Sequence, residues 1–227
     1  MNAPVEIADY DPGWPAAFAA LRAQIAAALG PLAQRIEHVG STAVPGLPAK
    51  PVIDLDVVIA TLAELPEVIS RLATLGYLHE GDLGITGREA FASPAATPAR
   101  HLYVCTADSR ELARHLAFRD YLRTHPGQAR TYAKLKRSLA AQFRSDRDAY
   151  SRSKAAFVEQ ALAAAAHQHR GTDSTGGLEA FGQLRYPTPP EHVHDSHIEN
   201  ARAASNKRSA ARIQRQQGAV RFGRTCE

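Results

Sequence analysis

The sequence predicts a mixed α/β (α+β) protein, in which a mixed sheet with flanking helices is followed by a C-terminal helical block. β-prone runs and helical patterns alternate as far as residue 106, whereas the apolar pattern from residue 109 onward is helical. The hydrophobic content of 44% and the charged content of 22% are ordinary for a globular chain of 227 residues. No apolar run approaches the roughly 18 residues that span a bilayer, so we expect no membrane association.

One helix and one strand open this pattern. Residues 14–29 are predicted to be helical, because Leu21, Ile25 and Leu29 recur at a spacing of four residues. Arg35 to Val39 is a short β-prone run, which we predict to be the first strand.

The second strand is predicted over Val52 to Ile59. Successive side chains of a strand point to opposite faces, so Asp54 and Asp56 share one face. The opposite face carries four large aliphatic side chains, Ile53, Leu55, Val57 and Ile59.

The remaining elements follow the same two periodicities. We predict a helix over residues 62–75 and strands over residues 77–80, 89–92 and 101–105. Three further helices are predicted over residues 110–124, 128–143 and 148–166, with Ser109 as the N-cap of the first.

Charge and composition separate a folded body from a tail. Nine of the 27 Lys and Arg residues and six of the 23 Asp and Glu residues lie from Arg170 onward, which leaves 18 and 17 in the rest. We therefore predict one domain over residues 1–169 and a disordered, polar, basic tail over residues 170–227. Because the body is nearly neutral, we do not expect a nucleic-acid partner. Cys105 and Cys226 form no disulfide framework, which predicts a cytoplasmic location.

The segment that suggests chemistry is Gly40-Ser41, followed after twelve residues by Asp54-Leu55-Asp56. Two carboxylates on one face of a strand suit Mg²⁺ or Mn²⁺, whose other ligands would be water and phosphate oxygens. A Gly-Ser turn offers backbone N–H groups and a hydroxyl to phosphate. The plainer reading is a turn followed by an ordinary Asp-x-Asp pair, but buried carboxylates need a partner.

Longer runs around these residues resemble the GrpB family. The two most specific are His38-Val39-Gly40-Ser41-Thr42-Ala43-Val44-Pro45-Gly46-Leu47 and Lys50-Pro51-Val52-Ile53-Asp54. Residues 100–104, 115–123 and 132–136 continue the resemblance in order, and it extends over roughly residues 4–165. The Gly-Ser turn with its two alternating aspartates also resembles the signature of the nucleotidyltransferase superfamily. The resemblance therefore implies a nucleotidyltransferase-like fold.

This resemblance implies that Asp54 and Asp56 are catalytic metal ligands. Nucleotidyltransferases usually place a third carboxylate on a later strand, where this chain has His101 or Tyr103 instead. His101 is a candidate general base toward an acceptor hydroxyl, and Glu89 is a candidate for the missing carboxylate.

Several basic residues are candidates for binding nucleotide phosphates with Gly40 and Ser41. Arginine and lysine suit phosphate, although each of these residues is also a candidate for an ordinary surface or structural ion pair. The candidates are Lys50, Arg88, Arg100, Arg119 and Lys136; the pair Arg119-Asp120 would alternatively anchor the helical block to the sheet.

Two functions follow as hypotheses. The first is a metal-dependent nucleotidyltransferase that acts on a small-molecule acceptor. The second is a catalytically degenerate module that binds a nucleotide-like ligand or stabilises a partner enzyme such as dephospho-CoA kinase, to which GrpB domains are sometimes fused. The chain has no Gly-x-x-x-x-Gly-Lys-Ser/Thr loop, so the kinase half is absent.

Overall fold

One five-stranded sheet positions the candidate site. The computed structural model describes residues 4–95 and 98–172. The strands are β1 (Arg35–Val39), β2 (Val52–Ile59), β3 (Leu78–Gly81), β4 (Arg88–Ala92) and β5 (Ala99–Thr106). The helices of these residues are α1 (Trp14–Leu29), α2 (Leu65–Thr74), α3 (Arg110–Thr124), α4 (Pro126–Gln142), α5 (Arg147–Ser153) and α6 (Ala155–Thr172). The predicted mixed sheet with flanking helices and a helical block is confirmed.

The strands follow the order β1-β2-β5-β4-β3. β2 and β5 pair in parallel at the centre, and the other three pairs are antiparallel. The central register sets Asp54 beside His101 and Asp56 beside Tyr103. The sheet therefore brings together the two segments in which metal ligands and a general base were predicted.

The aliphatic face of β2 is the back of the sheet, and it packs against α1 and α2. Ile53, Leu55 and Val57 are fully buried there, as the strand alternation predicted. Leu21 and Ile25 of α1 contribute to the same core, at the helical spacing seen in the sequence. This continuous apolar layer leaves the aspartates on the opposite face, which we call the front.

The helical block covers the front face. Leu112 of α3 packs on Val58 and Cys105 of the sheet. A second cluster joins α3, α4 and α6 around Tyr132, whose ring stacks on Phe157 with the centroids 4.8 Å apart. The front face is thus partly apolar, and Asp56 lies buried between the sheet and these helices.

Some element boundaries differ from the prediction. The predicted helix over residues 62–75 begins with a 3-10 turn, Leu62–Glu64, because Pro66 stands in the first turn of α2 and cannot donate a backbone bond. Ser109 lies at the N-cap of α3, but its side chain makes no cap hydrogen bond. The single helix predicted over residues 148–166 is wrong, since α5 ends at Ser153 and α6 begins at Ala155.

This break between α5 and α6 has a packing reason. Tyr150 of α5 is buried in a cluster with Val5 and Leu139, whereas Ala161 of α6 belongs to the cluster around Tyr132. One straight helix would have to contact both clusters along a single axis. The break allows α5 to pack in the cluster of Tyr150 and α6 to pack in the cluster of Tyr132.

The predicted tail falls almost wholly outside the part of the chain that the structure describes. The backbone of α6 continues to Thr172, and residues 173–227 lie beyond the described residues. Among the residues described, no helix combines the length and the apolar character needed to cross a bilayer.

Candidate functional site

Asp54 and Asp56 project from the front face of β2, each beside a histidine. Asp54 accepts a hydrogen bond from Nδ1 of His101 on β5, and the two atoms are 2.8 Å apart. The side chains of Asp54 and His101 are 27% and 40% exposed, so solvent reaches this pair. Burial alone would raise the pKa of Asp54, but the hydrogen bond and charge of His101, with the charges of His115 and His38, hold it below its ordinary value. Asp54 is therefore an ionised and accessible carboxylate.

Asp56 lies deeper and is paired with His115 of α3. Nδ1 of His115 is 2.7 Å from Oδ2 of Asp56, whose side chain is only 2% exposed. Burial would lower the pKa of His115, but the charge and hydrogen bond of Asp56 outweigh it and raise the pKa above its ordinary value. The other oxygen of Asp56, Oδ1, is buried and has no hydrogen-bond partner among the described residues. This pairing of His115 with Asp56 is not predictable from the sequence pattern.

Gly40 lies directly against Asp54. A Cβ atom added to Gly40 would be 2.1 Å from Oδ2 of Asp54, and the φ angle of Gly40 is 71°. Both the conformation and the contact require glycine at this position. The turn that follows, Ser41–Ala43, is a short 3-10 helix. The Gly-Ser turn and the first aspartate are therefore neighbours in space, as the sequence motif predicted.

Lys136 reaches this turn from α4. Its ammonium group, Nζ, is 3.0 Å from Oγ of Ser41 and also donates to the backbone carbonyl of Pro48. The residue is only 2% exposed. Burial, with the nearby charges of Lys154 and Arg137, lowers the pKa of Lys136 to about 7, against the opposing effect of Asp54. The helical block thus contributes a basic group to the predicted phosphate turn.

Two more predicted phosphate ligands lie on the same side of the sheet. Nζ of Lys50 is 4.9 Å from the centroid of the Tyr150 ring, where it makes a cation–π contact. Arg88 is 97% buried, and its guanidinium carbon lies 4.2 Å from the centroid of the Tyr103 ring. Nε and Nη2 of Arg88 have no hydrogen-bond partner among the described residues.

Arg100 and Arg119 occupy other positions. Arg100 alternates with His101 along β5, so it lies on the back, where its Nε donates to the hydroxyl of Tyr77. Nη1 of Arg119 donates to a carboxylate oxygen of Glu37 at 2.9 Å and to the carbonyl of His38. Arg119 therefore links α3 to β1, which is the anchoring role that the sequence left open.

Few side chains at this site could coordinate a divalent cation. Among the described residues no three His, Cys, Asp or Glu side chains are grouped so as to hold a metal. Glu89, the candidate third carboxylate, bonds instead to His79 at 2.7 Å, and its register opposite Val104 places it on the back face. The buried, unpartnered Oδ1 of Asp56 and the accessible Asp54 nevertheless fit a single cation that takes its other ligands from a bound molecule.

These features define a mixed α/β protein in which two Asp–His pairs lie beside a Gly-Ser turn. The family described as "GrpB protein" matches residues 4–164, so the chain belongs to the GrpB family.

Individual relatives agree with this assignment. The chain is 39% identical over 169 residues to a UPF0157 protein of Pseudomonas aeruginosa, covering 72% of this chain and 70% of the relative. It is 31% identical to the UPF0157 protein YqkA of Bacillus subtilis, covering 76% of this chain but only 50% of that longer protein. A dephospho-CoA kinase of Mycolicibacterium paratuberculosis is 32% identical, with 66% of this chain and 43% of the kinase covered.

A solved structure is also similar. The crystal structure of conserved protein GrpB from Enterococcus faecalis matches with a TM-score of 0.67 and 30% sequence identity. The match covers 73% of this chain and 99% of the Enterococcus chain. The fold of the body is thus that of a known GrpB protein.

Proposed function

We propose that this protein is a metal-dependent nucleotidyltransferase that acts on a small-molecule acceptor. A nucleoside triphosphate would bind with its phosphates at the Gly40-Ser41 turn, and the acceptor would lie on the side of His101. The proposal includes a cytoplasmic location, which the free and buried thiol of Cys105 favours.

The close contact between Gly40 and Asp54 carries this proposal. A Cβ atom on Gly40 would lie 2.1 Å from the carboxylate of Asp54, so there is no room for a side chain. The backbone of Gly40 therefore lies directly against this carboxylate. Phosphate bound to the turn would therefore lie next to Asp54. The phosphate and the carboxylate would repel each other at this distance unless a cation lay between them. A divalent metal ion would supply the charge that removes this repulsion.

Asp54, His101 and Ser41 have separate roles in the proposed reaction. Asp54 holds Nδ1 of His101, and a His101 ring protonated at Nδ1 leaves Nε2 free to accept the proton of an acceptor hydroxyl. Asp54 also stabilises the imidazolium that this transfer creates, through the same 2.8 Å hydrogen bond. The hydroxyl of Ser41 and the backbone of the turn orient the phosphates.

Asp54 and Asp56 would hold the cation, Mg²⁺ or Mn²⁺. When bound, it would supply positive charge to the phosphate oxygens. This charge would favour attack of the acceptor oxygen on the α-phosphorus, with the α–β phosphoanhydride bond broken and pyrophosphate as the leaving group.

Calorimetric titration with ATP and with GTP, each in the presence of Mg²⁺ or Mn²⁺, tests the proposal. We expect metal-dependent binding of a nucleotide, and Asp54→Asn should weaken it at least tenfold, which is about 1.4 kcal/mol. Asp108→Asn is the matched control, because Asp108 is exposed in the turn between β5 and α3. The proposal fails if no nucleotide binds, or if Asp54→Asn and Asp108→Asn bind equally well.

A second function is favoured by two observations. Both aspartates already have histidine partners, and the site has no third carboxylate among the described residues. The similarity to a mycobacterial protein named dephospho-CoA kinase adds a candidate partner. On this alternative the chain is a degenerate module that binds a nucleotide-like ligand or stabilises such a kinase. Co-purification with the kinase, unchanged by Asp54→Asn, supports it, and saturable nucleotide turnover excludes it.

A further inference from the structure

Lys136 is a buried cation whose hydrogen bonds go to two neutral oxygens. It is 2% exposed, and its Nζ donates to Oγ of Ser41 and to the carbonyl of Pro48. The ring of Tyr132 lies 4.7 Å from Nζ and adds a cation–π contact. A buried charge normally pairs with a carboxylate, because burial removes its hydration.

The nearby charged groups also affect the free-energy cost of burying the ammonium group of Lys136. Lys154, between α5 and α6, and Arg137 of α4 are basic, whereas Asp54 of β2 is acidic. Burial is the largest influence, and with the two basic residues it lowers the pKa of Lys136 to about 7. Near neutral pH the lysine is therefore only partly protonated when no anion is present.

We propose that Lys136 is the cationic binding residue for the phosphate group received at the Gly40-Ser41 turn, so that the sheet and the helical block share the anion site. This inference rests on the nucleotide site proposed above and adds to it a residue from α4. The class of ligand is a polyphosphate chain, free or as part of a nucleotide.

The hydrogen bond between Lys136 and Ser41 gives the mechanism. Oγ of Ser41 accepts from Nζ, so the hydroxyl proton of Ser41 remains available to donate elsewhere. A phosphate oxygen at the turn would accept a hydrogen bond from that hydroxyl and attract the ammonium group at the same time. The anion would thereby provide a charge partner, which Lys136 lacks within hydrogen-bonding distance among the described residues.

Proton uptake is the measurable consequence. An anion favours the charged form of Lys136, so binding raises its pKa and draws a proton from solvent wherever the free protein has lost it. With a pKa of about 7 in the free protein, Lys136 is mostly uncharged at pH 8 and mostly charged at pH 6, so its proton uptake should be large at pH 8 and small at pH 6. The ligand loses protons when it binds at a cationic site, which lowers the net count. The uptake by Lys136 is therefore the difference in proton count between the unchanged chain and a variant without this lysine.

Calorimetry of the full chain with inorganic tripolyphosphate, without metal, tests this inference. Titrations at pH 6 and pH 8 in buffers of different ionisation enthalpy give the number of protons taken up. Lys136→Met should weaken binding at least tenfold and abolish the uptake. Lys134→Met is the matched control, because Lys134 is an exposed lysine two residues away in the same helix, and it should bind within twofold of the unchanged chain.

The outcomes separate this inference from the proposed enzyme. Tripolyphosphate binding that Lys136→Met leaves intact overturns the inference, as does absence of binding or a proton count at pH 8 that is equal in the unchanged chain and in Lys136→Met. Binding that depends on Lys136 supports it even if Asp54→Asn shows no loss of metal-dependent nucleotide binding, in which case only the enzyme proposal fails. If Lys136→Met does not fold, Lys136→Arg decides, because an arginine keeps its positive charge at pH 8 and should retain binding while losing the proton uptake.

Discussion

Gly40→Ala adds one methyl group at the contact on which the proposed site depends. The backbone angles of Gly40, φ 71° and ψ −168°, lie in a region almost restricted to glycine. Holding another residue there costs on the order of 1–3 kcal/mol. The new Cβ would also lie 2.1 Å from Oδ2 and 2.9 Å from Cγ of Asp54, which is too close for either atom to stay in place.

Displacing Asp54 breaks its hydrogen bond with His101. A hydrogen bond to a charged group contributes roughly 1.5–3 kcal/mol, and the low end applies here because water can replace the partner of a side chain that is 40% exposed. The two effects together predict that Gly40→Ala lowers the free energy of unfolding by about 2.5–4.5 kcal/mol. The melting temperature should fall by roughly 10 °C.

Urea unfolding followed by tryptophan fluorescence measures this loss. The chain contains one tryptophan, Trp14, which is 5% exposed in the core and should report unfolding. Gly46→Ala is the control, because Gly46 also has a positive φ, 76°, but a Cβ there meets nothing within 4 Å. The control should lose only about 1–2 kcal/mol. Equal losses for the two variants would refute the argument that Gly40 is required by its contact with Asp54.

Two histidines provide further tests. Burial lowers the pKa of His38 to about 4. The folded state therefore binds fewer protons than the unfolded state between about pH 4 and pH 6.5. The free energy of unfolding should be highest above about pH 6.5 and should fall by roughly 3 kcal/mol as the pH drops toward 4. Urea unfolding at several pH values should show this slope in the unchanged chain, and a slope that persists in His38→Gln would contradict the assignment. Asp56→Asn removes the charge that raises the pKa of His115, so burial should then take that pKa below its ordinary value. An NMR titration of the ring protons measures it, and an unchanged pKa would rule out Asp56 as the cause.

Strand alternation made much of the sheet predictable. The bounds of β1 and β2 match the prediction, and the aliphatic side chains of β2 fill the back core while Asp54 and Asp56 face the front. The same alternation also separates Arg100 from His101, so the sequence already contained the reason why both cannot face one site.

Contacts across long stretches of chain had no such local signal. His115 lies 59 residues from Asp56, and Lys136 lies 95 residues from Ser41. Periodicity indicates which face of a helix is buried but not which strand it covers. The break between α5 and α6 was missed for the same reason, since it depends on two clusters that only the folded chain creates.

The two Asp–His pairs have similar chemistry but differ in their exposure to solvent. We infer different roles for them from this difference. Asp54 and His101 are open to solvent, whereas Asp56 is almost completely buried beneath α3. Asp56 therefore links the helical block to the central strand through Oδ2 and His115, and only its Oδ1 is left for the proposed cation. Arg119 adds a link from α3 to β1, and Lys136 brings α4 to the Gly-Ser turn. A ligand bound beside Asp54 would lie where sheet and helical block meet. Substitutions of His115 or Arg119, which weaken the links made by α3, should consequently reduce affinity for that ligand, although neither side chain is proposed to contact it.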